Sequence, residues 1–505
     1  MNQLPLPFLS IAVLAPLGGA LAVLRTRSVR LARLLALISV AISLVCAFAT
    51  LWIEIPRSGV LAEPWAIPLL GAAQPLFAAD MLSCIGLVLF TSLALLTIAA
   101  APRRDLDRPR ILQLLLLISA VAVVYVSNHL LILLAGWALA VLPMAYANNS
   151  AEDGIAGSRA TLLMKAVLTA GVLALGAAIL ILGNEAAAAG VASPYSLQML
   201  RESSLAGGHW VFALLMLSVL FTKGIFPFHS WVLTAFDRGS MLNANLLVNA
   251  HLGAFLIAKV AVPVMPTIAV GALPVLSDVA LFTMCYMAVL AIRERAPRRI
   301  LALLFVGQAS SILVGLESAT EAGVTGALVH WIVVASSTTS LAIVLRLIET
   351  RVGARVGTAQ FLGLANRFPR LAVFFLIGGL ALVGLPGTLG LPAEDLLIHG
   401  TLESHPQLGI ALPIATALFA CHMLRLFSML FLGRKTTNLA LLPDAVLRER
   451  AALTALIAFL VLFGIAPAWI VDRQASAAIP LVEKLRSASH REHALPPIAK
   501  SIPRD

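Results

Sequence analysis

The stretch Thr222-Lys223-Gly224-Ile225-Phe226-Pro227-Phe228-His229 follows the apolar run Phe212-Ala213-Leu214-Leu215-Met216-Leu217-Ser218-Val219-Leu220-Phe221. Proline removes a backbone donor and glycine loosens the chain, so a helix opens here beside an ionisable side chain. A second stretch repeats the combination: Gly384-Leu385-Pro386-Gly387-Thr388-Leu389-Gly390-Leu391-Pro392-Ala393-Glu394-Asp395. Open backbone at membrane depth is tolerated only against protein or a watery cavity. Ionisable residues at that depth point to ion pathways. Interrupted helices at matching places in two halves of a chain point to a transporter built from repeats. These stretches predict movement of protons or other ions across a membrane.

The surrounding sequence supplies the membrane. The 505 residues are 60% hydrophobic and 12% charged, with a mean hydropathy of +0.98. Soluble domains carry about a quarter charged residues, so a globular enzyme is excluded and the chain reads as an all-α polytopic membrane protein. A span needs roughly 20 apolar residues. About fourteen such stretches occur, near 6–24, 32–53, 78–100, 111–127, 129–147, 160–183, 209–228, 241–264, 271–292, 299–316, 323–348, 371–393, 409–432 and 451–471. The interruptions fall in segments seven and twelve, five spans apart. An odd repeat inverts its second copy, which predicts two inverted five-helix repeats, each with a broken helix and an ion site near the midplane. The predicted organisation is N-terminal transmembrane helices over 1–75, a translocating core over 76–435, a final transmembrane helix over 436–471 and a short tail over 472–505, too short to fold alone.

The net charge of +11 is not spread evenly. Basic residues cluster after the first, third, ninth, eleventh and thirteenth spans, among them Arg25, Arg103, Arg104, Arg293, Arg295, Arg351, Arg355, Arg434 and Lys435. Arg57 and Arg201 supply nearly all the positive charge of the intervening loops. Basic residues collect in cytoplasmic loops. The alternation therefore predicts odd-numbered loops in the cytoplasm and both termini on the outer, periplasmic side; the expected location is a bacterial inner membrane. The bilayer, not nucleic acid, accounts for the charge. Cys46, Cys84, Cys285 and Cys421 are scattered in apolar sequence and read as small buried hydrophobes. No nucleotide-binding glycine loop, haem-attachment pair or iron–sulfur motif is present, so no cofactor is expected in this chain.

Several ionisable residues fall inside spans. Lys223 is costly in its charged form unless hydrated or paired, which makes it a usable proton carrier; the bland alternative is a lysine snorkelling from a helix end. His251, within Val248-Asn249-Ala250-His251-Leu252, can both give and take a proton, or is a satisfied core histidine. Asn245 lies six residues before it, on another side of the helix, and Lys259 near the outer end is placed to snorkel. His330 precedes a Ser/Thr cluster, Ser336 to Ser340, which can hold water or join helices. Glu394 and Asp395 are adjacent acids able to relay protons to one aqueous face, or a solvated loop. Asp80 reads as a helix cap, and Lys165 as an anchor or a member of the charged axis. His399, Glu403 and His405 match no strong metal spacing, and no metal is expected.

Lys223 to Trp231 resembles the Lys…Pro-Phe/Leu-His-x-Trp signature of the antiporter-like membrane subunits of respiratory complex I (NADH-quinone oxidoreductase), relatives of the multisubunit cation/proton antiporters. Gly384-Leu385-Pro386-Gly387-Thr388, ending at Glu394, resembles the second broken helix of that family. Met423-Leu424-Arg425 resembles a later Tyr-x-x-Arg element, and Asp80-Met81-Leu82-Ser83 the start of the third helix. The resemblance covers roughly residues 75–435. It implies a proton pathway through Lys223, His251, His330 and Glu394, with Asn245, His229, Thr338, Asp395, Lys165 and Asp80 as accessory residues. Three positions depart from the pattern. Ala138, in Gly136-Trp137-Ala138, stands where a glutamate pairs with the lysine; Val334 replaces a second histidine, and Thr338 a lysine.

The resemblance implies a proton-conducting subunit of a larger complex, coupled to a partner's chemistry. The implied partners are quinone-reductase subunits, or, as in two-component inorganic-carbon uptake systems, a cytoplasmic zinc protein resembling carbonic anhydrase. The departures leave room for a structural membrane anchor with a non-conducting channel, and a cation/proton antiporter is a further alternative.

Overall fold

A computed structural model of the chain describes residues 2–53, 59–64, 74–147, 155–203, 208–353, 355–356, 361–433 and 442–494. Arg57, Arg434 and Lys435 of the predicted loops lie outside them. The described residues are almost entirely helical. The first group comprises α1 (Phe8–Arg25), α2 (Val29–Trp52), α3 (Met81–Ala100), α4 (Arg108–Val126), α5 (Leu130–Ala147), α6 (Ile155–Ala188) and the short α7 (Leu197–Glu202). An interruption then separates α8 (His209–Lys223) from α9 (Ser230–Arg238). The next run is α10 (Met241–Asn249), α11 (Leu252–Leu256) and α12 (Val262–Val264), with a π-helical turn at Ile257–Ala261. After α13 (Pro266–Arg293), α14 (Pro297–Glu317) and α15 (Glu321–Val352), a second interruption parts α16 (Pro369–Ala381) from α17 (Gly390–Ser404). The chain continues through α18 (Pro406–Phe431), α19 (Leu447–Ile465) and α20 (Ala468–Ala494).

Helix starts follow local chemistry. Asp80, Asp107 and Thr320 each accept from a backbone N–H three residues on, capping α3, α4 and α15. Glu63 caps α1 from a distance, taking the Leu9 N–H at 2.6 Å. It is held there by a small sheet in which Asn2–Gln3 pairs with Leu61–Ala62 and that with Ala78–Ala79.

Among the described residues, ten helical runs are long and apolar enough to cross a membrane, or eleven if α19 and α20, bent by 84°, count as one. Three shorter apolar helices fall below that length, so this measure does not reach fourteen. The apolar cores of the runs over Met241–Val264, Pro297–Glu317 and Glu321–Val352 are wholly buried among the other helices. At 32 residues α15 is about 48 Å long, and α3, α10, α14, α16, α17, α19 and α20 pack around it.

Ion pairs show which loops share an end. Arg298 grips Glu349 through two bonds of 2.6 Å, Arg346 reaches Asp105 at 2.6 Å, and Arg351 meets Glu449 at 2.6 Å. These residues border the connections after the third, ninth, eleventh and thirteenth predicted spans, so loops that the charge pattern groups do meet. Part of the predicted basic face is therefore spent on internal latches. At the opposite end Asp80, Arg201 and Lys259 come together. The residues expected as a loose tail form most of α20, which packs on α3, α13 and α15.

Candidate functional site

Both interruptions are built alike. At the end of α8, Gly224 takes the left-handed conformation (φ +67°), its N–H bonds Phe221 O, and Ile225 N–H reaches back to Leu220 O. At the end of α16, Gly384 does the same (φ +76°), bonding Ala381 O, and Leu385 N–H reaches Leu380 O. This six-to-one closure satisfies the last carbonyls of a helix and needs a residue tolerant of positive φ, hence glycine at both places. One break geometry used twice is what a repeated unit produces.

Lys223 is the last residue of α8 and is 6% exposed. Its Nζ lies 3.2 Å from Nδ1 of His251. No carboxylate pairs with it among the described residues, as Ala138 at the expected glutamate position implies. His251 occupies a third break, between α10 and α11, with φ +44°. Tyr125 Oη donates to the Ala250 carbonyl at 2.6 Å, serving a group the helix has released. The His251 ring stacks on Phe305 at 5.7 Å and meets Trp331 edge-on at 5.4 Å. Next to Trp331 on α15 is His330, 1% exposed, lying against Gln308 of α14.

Along this line His251 Nε2, a ring nitrogen of His330, both amide atoms of Gln308 and the hydroxyl of Ser337 are buried without a protein partner among the described residues. Buried polar atoms are rarely left so, and water inside proteins characteristically binds such groups. Lower on α15, the Thr338 hydroxyl lies 2.6 Å from Val334 O and 3.0 Å from Asn249 Oδ1 and shares its one hydrogen between them, while the amides of Asn245 and Asn249 donate to Thr339 at 3.0 and 3.2 Å. The position that departs from lysine thus serves as a polar cross-link between α10 and α15.

Glu394 is half-buried on α17, and its carboxylate packs against Gly384: a Cβ there would lie 2.4 Å from Oε2. Its Oε1 is buried and has no partner among the described residues. An apolar cluster containing Val329, Val333, Leu389 and Ala393 lies between α15 and α17 beside it. The structure therefore joins Lys223 to His251, sets His330 nearby, and leaves Glu394 across apolar packing.

The accessory residues divide. Asp395 does not join Glu394: its side chain is 63% exposed and lies 3.3 Å from His399. Consecutive helical residues point about 100° apart, which separates the two acids. Lys165 lies 5.5 Å over the ring of Tyr146, which is 52% exposed, at the outside of the bundle. His229 is half-buried against Phe226 and Tyr286. Lys259 does not snorkel; it is 3% exposed, with Nζ 2.6 Å from Asp80 Oδ2 and 2.8 Å from Ser83 Oγ. Asp80 is accordingly an ion-pair partner as well as a cap. Among the described residues no cluster of His, Cys, Asp or Glu is arranged to hold a metal.

Residues 127–420 match the family model described as "NADH:quinone oxidoreductase/Mrp antiporter, TM". Over 251 residues the chain is 26% identical to NADH-ubiquinone oxidoreductase chain 4 of Debaryomyces hansenii, covering 49% of this chain and 53% of that one. Over 283 residues it is 27% identical to NADH-quinone oxidoreductase subunit N of Rhodococcus opacus, covering 53% and 50%. The chain thus spans about half the length of the curated relatives it matches. The fold is similar to a chain of respiratory complex I from Thermus thermophilus, with a TM-score of 0.84 at 22% identity over 94% of this chain and 99% of that one. It is also similar to a chain of the Mrp complex from Dietzia, with a TM-score of 0.78 at 19% identity over 95% and 98%.

Proposed function

Because the chain belongs to the NADH:quinone oxidoreductase/Mrp antiporter transmembrane family, we propose that it is a proton-conducting, antiporter-like subunit of a larger membrane complex. The observation that carries this reading is the buried contact between Lys223 and His251, continued by the polar atoms of His330, Gln308 and Ser337 that lack a partner among the described residues. Lys223 and His251 each hold or release one proton, and their contact lets a proton pass directly between them. Water hydrogen-bonded to the row of polar atoms carries it on toward His330. Glu394 serves as the terminal acid, reached when the apolar packing between α15 and α17 shifts or wets. The break at Gly384 holds its carboxylate in place.

The chain supplies the channel, and a partner supplies the energy. The solved structures it resembles are multi-subunit membrane complexes, which supports membrane and peripheral subunits as partners. The quinone-reductase machine is our first choice, with the zinc protein of a carbon-uptake system as the other. In this reading the latch-bearing end faces the cytoplasm of a bacterial inner membrane and both termini face out.

One observation favours a second reading. Lys223 has no carboxylate beside it among the described residues, and Val334 and Thr338 are not titratable in the relevant range, which suits a structural anchor that does not conduct. Purification from the native membrane followed by reconstitution into liposomes with an internal pH dye decides between them. Proton flux under an imposed potential supports conduction; a tight membrane with the chain fully incorporated supports the anchor. The proteins that copurify identify the machine.

A further inference from the structure

Asp80 and Arg201, with Ala258 and Pro263, form the floor and back wall of a cleft of about 490 Å³ at the end of the molecule opposite the arginine latches. Its other wall is α20, through Ser476, Pro480 and Lys484. Lys484 fastens that helix by donating to Pro263 O at 3.1 Å, and Arg486 by donating to Ala319 O at 3.2 Å. Lys259 stands behind Asp80, shielded from the cleft, and belongs to the same helical run as His251, eight residues earlier. The distance between them along that run is about 12 Å.

We propose that this cleft is the outward opening of the proton path, with Lys259 as its last internal carrier and Asp80 as the group that receives protons at the water boundary; the proposal rests on the conducting function above. The charge arithmetic suits the task. One carboxylate, Asp80, faces two cations, with Lys259 Nζ at 2.6 Å and Arg201 at 3.9 Å. When Lys259 releases its proton, Asp80 keeps Arg201 as counter-ion, so the cluster passes from one surplus positive charge to none. A buried pair with a single cation would instead be left with an uncompensated carboxylate. Lys259 lies within the π-turn at Ile257–Ala261, where its carbonyl accepts from the Arg201 guanidinium, and such turns concentrate at functional sites. At the mouth Glu483 and Lys484 offset each other, and the small side chains of Ser476 and Ser487 leave room for water. In this arrangement α20 is the wall of a channel mouth.

The test uses the full chain with its four cysteines replaced and Ser476→Cys introduced, in sealed vesicles of both orientations. A charged, membrane-impermeant thiol reagent is expected to label the new cysteine from one side only, and labelling is expected to lower proton flux about tenfold. Separately, Lys259→Gln is expected to lower flux to a similar extent. Absence of labelling from either side, or complete labelling with flux unchanged, overturns the proposal. If the cysteine-free parent carries no flux while Ser476→Cys still labels, the conducting function fails first, and the cleft is a wet pocket with no role in transport.

Discussion

Lys223 Nζ and His251 Nδ1 lie 3.2 Å apart in a site where each is almost fully buried. Only one of the two holds a proton comfortably, because two cations at that separation repel strongly in a medium of low dielectric. The pair is a single-proton station, set where a helix end meets a helix break. His251→Ala removes the partner and is expected to lower proton flux about tenfold, equivalent to about 1.4 kcal/mol in barrier. His251→Lys restores a titratable group and is expected to retain more flux than the alanine variant. Dye-based flux assays of the two variants check the order.

Gly384 and Gly387 make a controlled comparison. Both have positive φ, +76° and +83°. A Cβ on Gly384 would lie 2.4 Å from Glu394 Oε2, whereas a Cβ on Gly387 meets nothing within 4 Å. Each alanine substitution carries the left-handed backbone cost of about 1–2 kcal/mol. Gly384→Ala alone also displaces the carboxylate. Similar losses of thermal stability are expected in both variants, with flux lost only in Gly384→Ala.

The Thr338 hydroxyl, which has one hydrogen, is shared between Val334 O of its own helix at 2.6 Å and Asn249 Oδ1 of α10 at 3.0 Å. Thr338→Val keeps the shape and removes the shared donor from the buried Asn249 oxygen, at a cost of about 1 kcal/mol. Thr338→Ser keeps the hydroxyl and is expected to stay near wild type. Thermal unfolding in detergent separates them.

Glu294 lies in the connection between α13 and α14. Burial works against its charge, but N–H donors from Ala296 and Arg295 and the Arg299 guanidinium at 2.7 Å outweigh that effect and hold its carboxyl below the usual range. A depressed carboxylate adds stability above its unfolded value, and the gain is lost as pH falls through the folded value. Glu294→Gln is expected to flatten the acid limb of a stability profile taken from about pH 7 to pH 3. An unchanged acid limb would show that other carboxylates dominate it.

Glycine and proline made two of the three breaks readable. Gly224 and Pro227, and Gly384 and Pro386, have local reasons to interrupt a helix, and both sites open there. The break at His251 carries no such mark at its own position, and a distant hydroxyl, Tyr125, serves the carbonyl it exposes. Lys259 read as a snorkelling side chain because its partner, Asp80, is 179 residues away in sequence. Asp395 read as a companion of Glu394 because adjacency in sequence hides the turn of the helix between them. The end of the chain read as a tail because α20 is weakly apolar, and its contacts with α13 and α15 supply what hydropathy does not show. Loop grouping fared better: Arg298, Arg346 and Arg351 bind acids from other connections of the same predicted side.

Proton flux through the purified chain in liposomes, compared among wild type, Lys223→Ala and Glu394→Gln, tests the central claim most directly. Conduction in wild type with a marked fall in both variants is the predicted result. Equal flux in all three, with each protein folded and incorporated to the same extent, would contradict it.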